Sequence, residues 1–231
     1  MIRRRFSSGE SEFNPDKYLT IEALYDGLSI TSTKIIYYRT IEGKWTSLSQ
    51  NVPSPQINKG ECLYIKAKWE DRSDLNKVFA ISKKCKLKGN CMSLFFWDSA
   101  DKNNDLSAYP RAFYRLFEYN TTILEVSPTF IPATILADDC YGYMFYGCTS
   151  LTTAPELPAT ILADDCYGCM FYGCTSLNYI KMLATDISAR YCLNRWVYGV
   201  ASTGTFVKNK NATWNVTGVS GVPSGWTIQK V

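Results

Sequence analysis

Residues 132–157, PATILADDCYGYMFYGCTSLTTAPEL, are followed directly by residues 158–183, PATILADDCYGCMFYGCTSLNYIKML. The two stretches agree at 20 of 26 aligned positions, so they are copies of one structural unit. Weaker copies flank them: residues 112–132 share the same skeleton, and Cys192 follows Cys166 by 26 residues. Repeats of this length bury their apolar faces only by stacking on one another, which predicts a solenoid.

Each unit has the pattern of a short helix followed by a short strand. Asp138 and Asp139 stand where they could cap a helix N-terminus, and Gly147 suits the left-handed position after a helix. Residues 149–154 are β-prone, and Pro155 follows them. We therefore expect a β/α solenoid. The repetition of the paired aspartates favours caps over a catalytic pair or calcium ligands.

The chain has nine cysteines, most of them in the repeats. Stacking places them in two columns: Cys140, Cys166 and Cys192, and Cys148 and Cys174. Buried cysteine behaves as a small apolar residue, so we interpret the columns as reduced apolar ladders. Cys166 and Cys169 resemble half of a zinc knuckle, but the repeat partner of Cys169 is a tyrosine. We expect no metal and no cofactor.

The composition of the 231 residues argues against an enzyme. Histidine is absent, which removes the commonest general base and most catalytic zinc sites. No glycine-rich phosphate loop, GxSxG elbow or HExxH motif is present. With 46% hydrophobic residues the chain can form a core, while its net charge of +4 is too small to indicate a nucleic-acid partner.

The apolar segments are too short for export or membrane insertion. The charged start is followed by no run of the length that a signal peptide needs, and no stretch of about 18 apolar residues occurs. We therefore expect synthesis and folding in the cytosol without membrane insertion.

Residues 144–158, MFYGCTSLTTAPELP, resemble the BspA-type leucine-rich repeats, whose pattern is roughly A-F-x-x-C-x-x-L-x-x-I-x-I-P. Met144 replaces the alanine and Ala154 an isoleucine, and the resemblance covers about residues 112–199. It implies a right-handed β/α solenoid with an adhesive or recognition role and no enzymatic activity.

The whole chain also resembles proteins of tailed phages and prophages of gut Bacteroidales. The opening MIRRRFSSGESEF and the ending GTFVKN…GVPSGWT, within residues 203–227, carry this likeness. It implies a virion surface fibre or decoration, made in the cytoplasm of the bacterial host.

These patterns predict an α+β fold in four parts. They are an arm at 1–17, a small β-sandwich-like module at 18–84, the leucine-rich-repeat-like solenoid at 85–199 and a strand-rich cap at 200–231. Strand patterns in the module lie at 18–24, 34–39, 61–69 and 78–81. We interpret Trp214 and Trp226 as the core of the cap.

Two surfaces of the solenoid are candidates for binding. Tyr146, Tyr172 and Tyr198 recur every 26 residues and would form a column that either stacks on a ligand or packs between repeats. The second surface is the strand face, where the two repeats differ. Its residues are Thr152, Thr153 and Glu156 in one unit and Asn178, Tyr179 and Lys181 in the next.

The function expected from sequence is a non-enzymatic virion surface protein, either a head or tail fibre or a capsid decoration. Its N-terminal half would bind other virion proteins and assemble the chain into a homotrimer. The solenoid would bind a host-surface glycan or protein. Arg3, Arg4 and Arg5 are either a surface arm or an arm that docks on an acidic partner surface. The alternative is a bacterial cell-surface adhesin, which would need a secretion signal.

Overall fold

The computed structural model describes residues 13–70 and 76–231. Within these residues, ten strands form one sheet in the order β12-β11-β10-β9-β8-β7-β1-β5-β3-β4, and β2 pairs with β6 in a second sheet. About 7% of the chain is helical. Strands therefore greatly outnumber helices among the described elements, and the predicted α+β class does not match the structure.

The N-terminal part supplies antiparallel strands. They are β1 (Leu19–Ala23), β2 (Ile30–Ser32), β3 (Ile36–Arg39), β4 (Thr46–Leu48), β5 (Cys62–Lys66) and β6 (Phe79–Ile81), with a 3-10 helix at Pro15–Lys17 before them. The strands predicted at 18–24, 34–39, 61–69 and 78–81 correspond to β1, β3, β5 and β6.

The remainder supplies parallel strands. They are β7 (Cys85–Lys88), β8 (Ile123–Val126), β9 (Thr153–Leu157), β10 (Tyr179–Met182), β11 (Thr205–Lys208) and β12 (Thr227–Lys230). The helix α1 (Ser93–Phe96) and 3-10 helices at Trp97–Lys102 and Pro128–Phe130 lie between β7 and β9. These strands form one side of a β-solenoid of about four turns.

The predicted β-sandwich is wrong because strand β7 joins the two halves into one sheet. Leu87 of β7 pairs with Ile21 of β1 in antiparallel register and with Val126 of β8 in parallel register. The N-terminal strands therefore extend the solenoid sheet, and only β2 and β6 stand outside it among the described strands. Buried side chains of both halves form one continuous core.

The predicted repeat helix is also wrong, because each repeat has a chain of turns there. Every fourth residue has a positive φ: Asp139 (56°), Tyr143 (56°) and Gly147 (69°) in one repeat. An α-helix of L-residues excludes such angles. Equivalent residues in the other repeats are Arg111, Arg115 and Tyr119, then Asp165, Cys169 and Gly173, then Tyr191, Arg195 and Gly199.

Two sets of backbone hydrogen bonds hold these turns. Within a repeat, the N–H of Gly142 donates to the carbonyl of Asp139 at 3.0 Å. Between repeats, the N–H of Tyr143 donates to Gly168 at 2.9 Å, and every second residue does the same. We call the stacked segments 111–119, 139–147, 165–173 and 191–199 the turn ladder. Each segment with the strand after it is a coil, numbered 1 to 4.

The geometry of the turn ladder explains why the sequence pattern predicted a helix. In each group of four residues two neighbours point inward, as Cys140 and Tyr141 do, followed by Met144 and Phe145. This period of four is close to the helical period of 3.6, so apolar spacing alone does not separate the two. The aspartates are not helix caps: Asp139 has a left-handed backbone, and Asp164 accepts the N–H of Arg190 from the next coil at 2.8 Å.

Stacked side chains fill the solenoid interior. The rings of Phe117, Phe145 and Phe171 lie parallel with centroids 5.7 and 5.8 Å apart. All predicted cysteine columns are buried and their thiols are free. The Sγ of Cys148 donates to the carbonyl of Phe117 at 3.2 Å, and Cys174 repeats this contact with Phe145 at 3.1 Å.

The last strands differ in detail from the prediction. Strand β9 includes Pro155, which was expected to follow the strand, and its pairing with β10 shifts register there. Strands β11 and β12 continue the parallel sheet through the predicted cap region. Trp226 is buried, as predicted, and its indole donates to the carbonyl of Ala201 at 2.7 Å, whereas Trp214 is half-buried.

Candidate binding surfaces

The three predicted column tyrosines stack on the outer side of the turn ladder. Ring centroids are 4.8 Å apart between Tyr146 and Tyr172 and 4.6 Å between Tyr172 and Tyr198, with interplanar angles of 9° and 16°. Tyr119 extends the row, edge-on to Tyr146 at 5.3 Å. We call these four residues the tyrosine column.

Tyr119 was missed by sequence reasoning because it occupies a glycine position. Coil 1 is two residues longer than the others, so Tyr119 corresponds to Gly147 rather than to Tyr146. A Cβ on Gly147 would lie 2.5 Å from the Tyr119 ring, so the ring covers that glycine directly. Aligning coil 1 at its longer spacing reveals this exchange in the sequence.

Stacking covers ring faces within the column. Tyr146 and Tyr172 are half-buried because each covers a face of the other, while Tyr119 and Tyr198 at the ends are 59% and 48% exposed. Burial and the neighbouring Tyr119 hydroxyl raise the pKa of Tyr146, so its phenol stays protonated at neutral pH. Such a row offers hydrogen-bonding hydroxyls along its length and an aromatic face at the Tyr198 end.

A cation lies beside the N-terminal end of the column. The guanidinium of Arg115 is 5.1 Å from the Tyr143 ring and 5.4 Å from the Tyr114 ring. Its Nε is 3.7 Å from Glu118, and burial raises the pKa of that carboxyl. Tyr143 in turn stacks on Tyr146 at 5.5 Å, which makes the aromatic surface wider than the column.

The strand face is different, since its charges are paired with one another. Lys181 of β10 contacts Glu156 of β9 at 2.8 Å, and this pairing raises the pKa of Lys181. Lys86 of β7 contacts Glu125 of β8 at 2.7 Å. The predicted charged residues of this face are thus brought together, and they neutralise each other.

The other predicted residues of the strand face support the sheet. The Thr152 hydroxyl donates to the carbonyl of Leu124 at 3.0 Å, and Thr153 and Tyr179 are register partners on neighbouring strands. Asn178 is exposed, and its backbone N–H bonds to Thr152 at 3.0 Å. Of these contacts, only the Thr152 hydroxyl bond is made by a side chain that differs between the repeats.

The outer side of the N-terminal sheet carries an aromatic box that the sequence did not indicate. The Nζ of Lys66 lies 4.1 Å from the Trp97 ring and 4.3 Å from the Trp45 ring. Asp98 accepts hydrogen bonds from Lys66 at 2.7 Å and from the Tyr18 hydroxyl at 2.8 Å. Burial lowers the pKa of Lys66. Because Lys66 fills it, this box stabilises the sheet and is not open to a ligand.

Four further features of the sequence concern the inner tyrosines of the repeat, the N-terminal arginines, metal ligands and membrane-spanning helices. Tyr141 and Tyr167, the inner tyrosines of the repeat, are fully buried. Arg3, Arg4 and Arg5 lie outside the described residues. Within residues 13–70 and 76–231, no group of three or more potential ligand side chains could hold a metal ion. None of the helices in that part of the chain has the length and apolar character to cross a bilayer.

Comparison with known proteins gives no relative from which a function could be transferred: no protein-family model, no curated protein and no solved structure matches this chain.

Proposed function

We propose that the chain is a non-enzymatic surface protein of a phage particle, a head or tail fibre or a capsid decoration, that attaches to the host surface through its solenoid. In this proposal the repeats are BspA-type leucine-rich repeats in which the turn ladder takes the place of the helices. The resemblances at 112–199 and at the two ends of the sequence support it.

The tyrosine column is the observation that carries the attachment role. It places stacked aromatic side chains at regular intervals along the turn ladder, and Tyr198 remains 48% exposed. Aromatic residues are the commonest anchors of recognition surfaces. The strand face lacks this character because Lys181 and Glu156 pair with each other.

A glycan is the ligand that this geometry favours. A row of hydroxyls can exchange hydrogen bonds with successive sugar units, and the free face of Tyr198 can stack on one sugar ring. The ladder fixes these side chains on hydrogen-bonded backbone, so little conformational entropy is lost on binding. A host-surface protein would use the same aromatic anchors.

The N-terminal half is proposed to attach the chain to other virion proteins and to assemble a homotrimer. Its sheet ends at strand β4, where Thr46 and Ser47 are exposed at an unpaired edge. An exposed edge of this kind is a ready site for pairing with a partner chain.

Binding of the labelled full chain to host cells tests the attachment role. Tyr198→Ala should weaken binding about tenfold or more, as expected when an aromatic anchor is removed. Tyr25→Ala is the matched control because Tyr25 is 60% exposed in the N-terminal half, and it should leave binding unchanged. Equal binding by all three proteins, or no binding to any host cell, would contradict the proposal.

A further inference from the structure

The last stretch of the solenoid, between β11 and β12, is shorter than the preceding coils by one four-residue period of the turn ladder. Register partners on β9 and β10 (Thr153 and Tyr179) and on β10 and β11 (Tyr179 and Thr205) are 26 residues apart. Those on β11 and β12, Thr205 and Thr227, are only 22 apart. The missing four residues equal one period of the ladder, so the final stretch cannot cover coil 4 completely.

The uncovered part is the beginning of the coil 4 ladder. In coil 3, the N–H groups of Asp165 and Tyr167 donate to the carbonyls of Arg190 and Cys192. The equivalent N–H groups of Tyr191 and Leu193 donate to no other residue in the described part of the chain. The stretch between β11 and β12 accepts hydrogen bonds only from the later N–H groups of coil 4. The Arg195 N–H, for example, donates to the Ser220 Oγ at 3.0 Å.

A cavity of about 240 Å³ opens beside these two N–H groups. Its lining carries more apolar than polar surface. The principal residues are Ile187, Ala189, Leu193 and Val216, with Asn194 and Ser220. We call the cavity and the two free N–H groups the open slot. A polypeptide segment lying along coil 4 would complete the ladder there.

Charges occur in a definite order along the open slot. Asp164 and Asp186 lie before it, near Cys192, and Arg195 lies after it. None of the three forms an ion pair with another residue of the structure as described. The guanidinium of Arg190 also faces this region, over the Tyr191 ring at 5.0 Å. An occupant parallel to coil 4 should therefore begin basic and end acidic.

We propose that the open slot binds residues 3–10 of a second copy of this chain. That segment reads Arg-Arg-Arg-Phe-Ser-Ser-Gly-Glu, which has the required order. Running parallel to coil 4, its arginines meet Asp164 and Asp186, Phe6 fills the cavity and Glu10 meets Arg195. Its backbone carbonyls accept the free N–H groups.

The segment of the same copy cannot reach the slot. Phe13 packs on Tyr64 of β5, with ring centroids 4.9 Å apart. Phe6 is seven residues from Phe13, which spans at most about 24 Å when extended. The slot lies in the β12 layer, seven strands from β5, or about 34 Å at the usual strand spacing.

Binding of one copy's segment by the next copy is a head-to-tail contact. Such contacts form rings when the rotation between copies closes and filaments when it does not. A ring of three would give the proposed homotrimer. The inference does not rest on ligand binding by the tyrosine column, so either can fail alone.

The test is the solution mass of the full chain and its variants by light scattering. The wild type should exceed the 26.2 kDa monomer, and Val216→Trp, which fills the cavity, should be monomeric. Val219→Trp is the matched control: Val216 and Val219 are 46% and 45% exposed, and Val219 lies outside the cavity lining. This control should keep the mass of the wild type.

Phe6→Ala provides a second route, since it alters the occupant and not the slot. It should be monomeric alone, but mixed with Val216→Trp it should form a dimer, because one intact segment and one intact slot then remain. A monomeric wild type, an oligomer that survives both Val216→Trp and Phe6→Ala, or a mixture that stays monomeric would overturn the proposal.

Discussion

Gly147 lies under the ring of Tyr119, and two separate requirements favour glycine at this position. Its φ of 69° favours glycine, and a Cβ would lie 2.5 Å from the ring. The sequence indicates the first requirement, because a glycine after an apolar run suggests a left-handed residue. It does not indicate the second, since that depends on a ring from the neighbouring coil.

Gly147→Ala should therefore cost more stability than Gly60→Ala. Gly60 has a φ of 85°, but no atom lies within 4 Å of the place that an added methyl group would occupy, so it measures the backbone effect alone, about 1 kcal/mol. The clash at Gly147 adds about 1–3 kcal/mol. Urea unfolding of the two variants measures both values, and equal losses would contradict the contact with Tyr119.

Burial gives the core thiols pKa values well above their ordinary 9.0. The pKa of Cys140 and that of Cys148 are each raised to about 12, chiefly by loss of hydration. The folded state then holds these protons more tightly than the unfolded state. The resulting stability is complete below pH 9 and is lost as the pH rises towards 12.

The free energy of unfolding should thus be constant from pH 7 to 8.5 and fall above pH 9. Urea titrations at several pH values measure it. Cys148→Ala should be less stable at neutral pH but lose less stability on going to pH 10. A wild-type profile that stays flat to pH 10.5 would show that the thiols are not buried.

At the scale of elements, the turn ladder differs from a helix in its period of four and in the positive φ of every fourth residue, as at Asp139, Tyr143 and Gly147. The two nearly identical repeats and their inward residues could be predicted from sequence. The turns could not, because half of their hydrogen bonds run to the next coil, as from Tyr143 to Gly168. Local propensity carries no information about such bonds.

Two substitutions at Arg111 distinguish a turn ladder from a helix by the sign of their difference in stability. Arg111 has a φ of 60°, and both variants lose its contact with Asp139 equally. In a ladder Arg111→Gly should be more stable than Arg111→Ala by about 1 kcal/mol. In a helix the alanine variant would be the more stable by about 0.5–1 kcal/mol. Thermal unfolding of both variants decides between them.

At the scale of the whole molecule, one sheet runs through both halves of the chain. The strand patterns of the N-terminal half were readable, but the partnership of β7 with β1 and β8 was not. Leu87 pairs with Ile21 and Val126, which lie far from it in sequence in opposite directions. Three members of the tyrosine column could be predicted from their spacing, whereas the fourth, Tyr119, and the open slot depend on differences in coil length.

Because one sheet and one core connect the halves, we expect the surface of the solenoid to be held rigidly on whatever the N-terminal half contacts. The proposed function, in which the N-terminal half is anchored and the solenoid displays a binding surface, would benefit from this connection.

Immunogold labelling of purified phage particles with antibodies to the solenoid tests whether the chain is a virion surface protein. Gold is expected on the head or tail surface of intact particles. Gold on the envelope of the bacterial cell, with none on the particles, would contradict it and favour a bacterial adhesin.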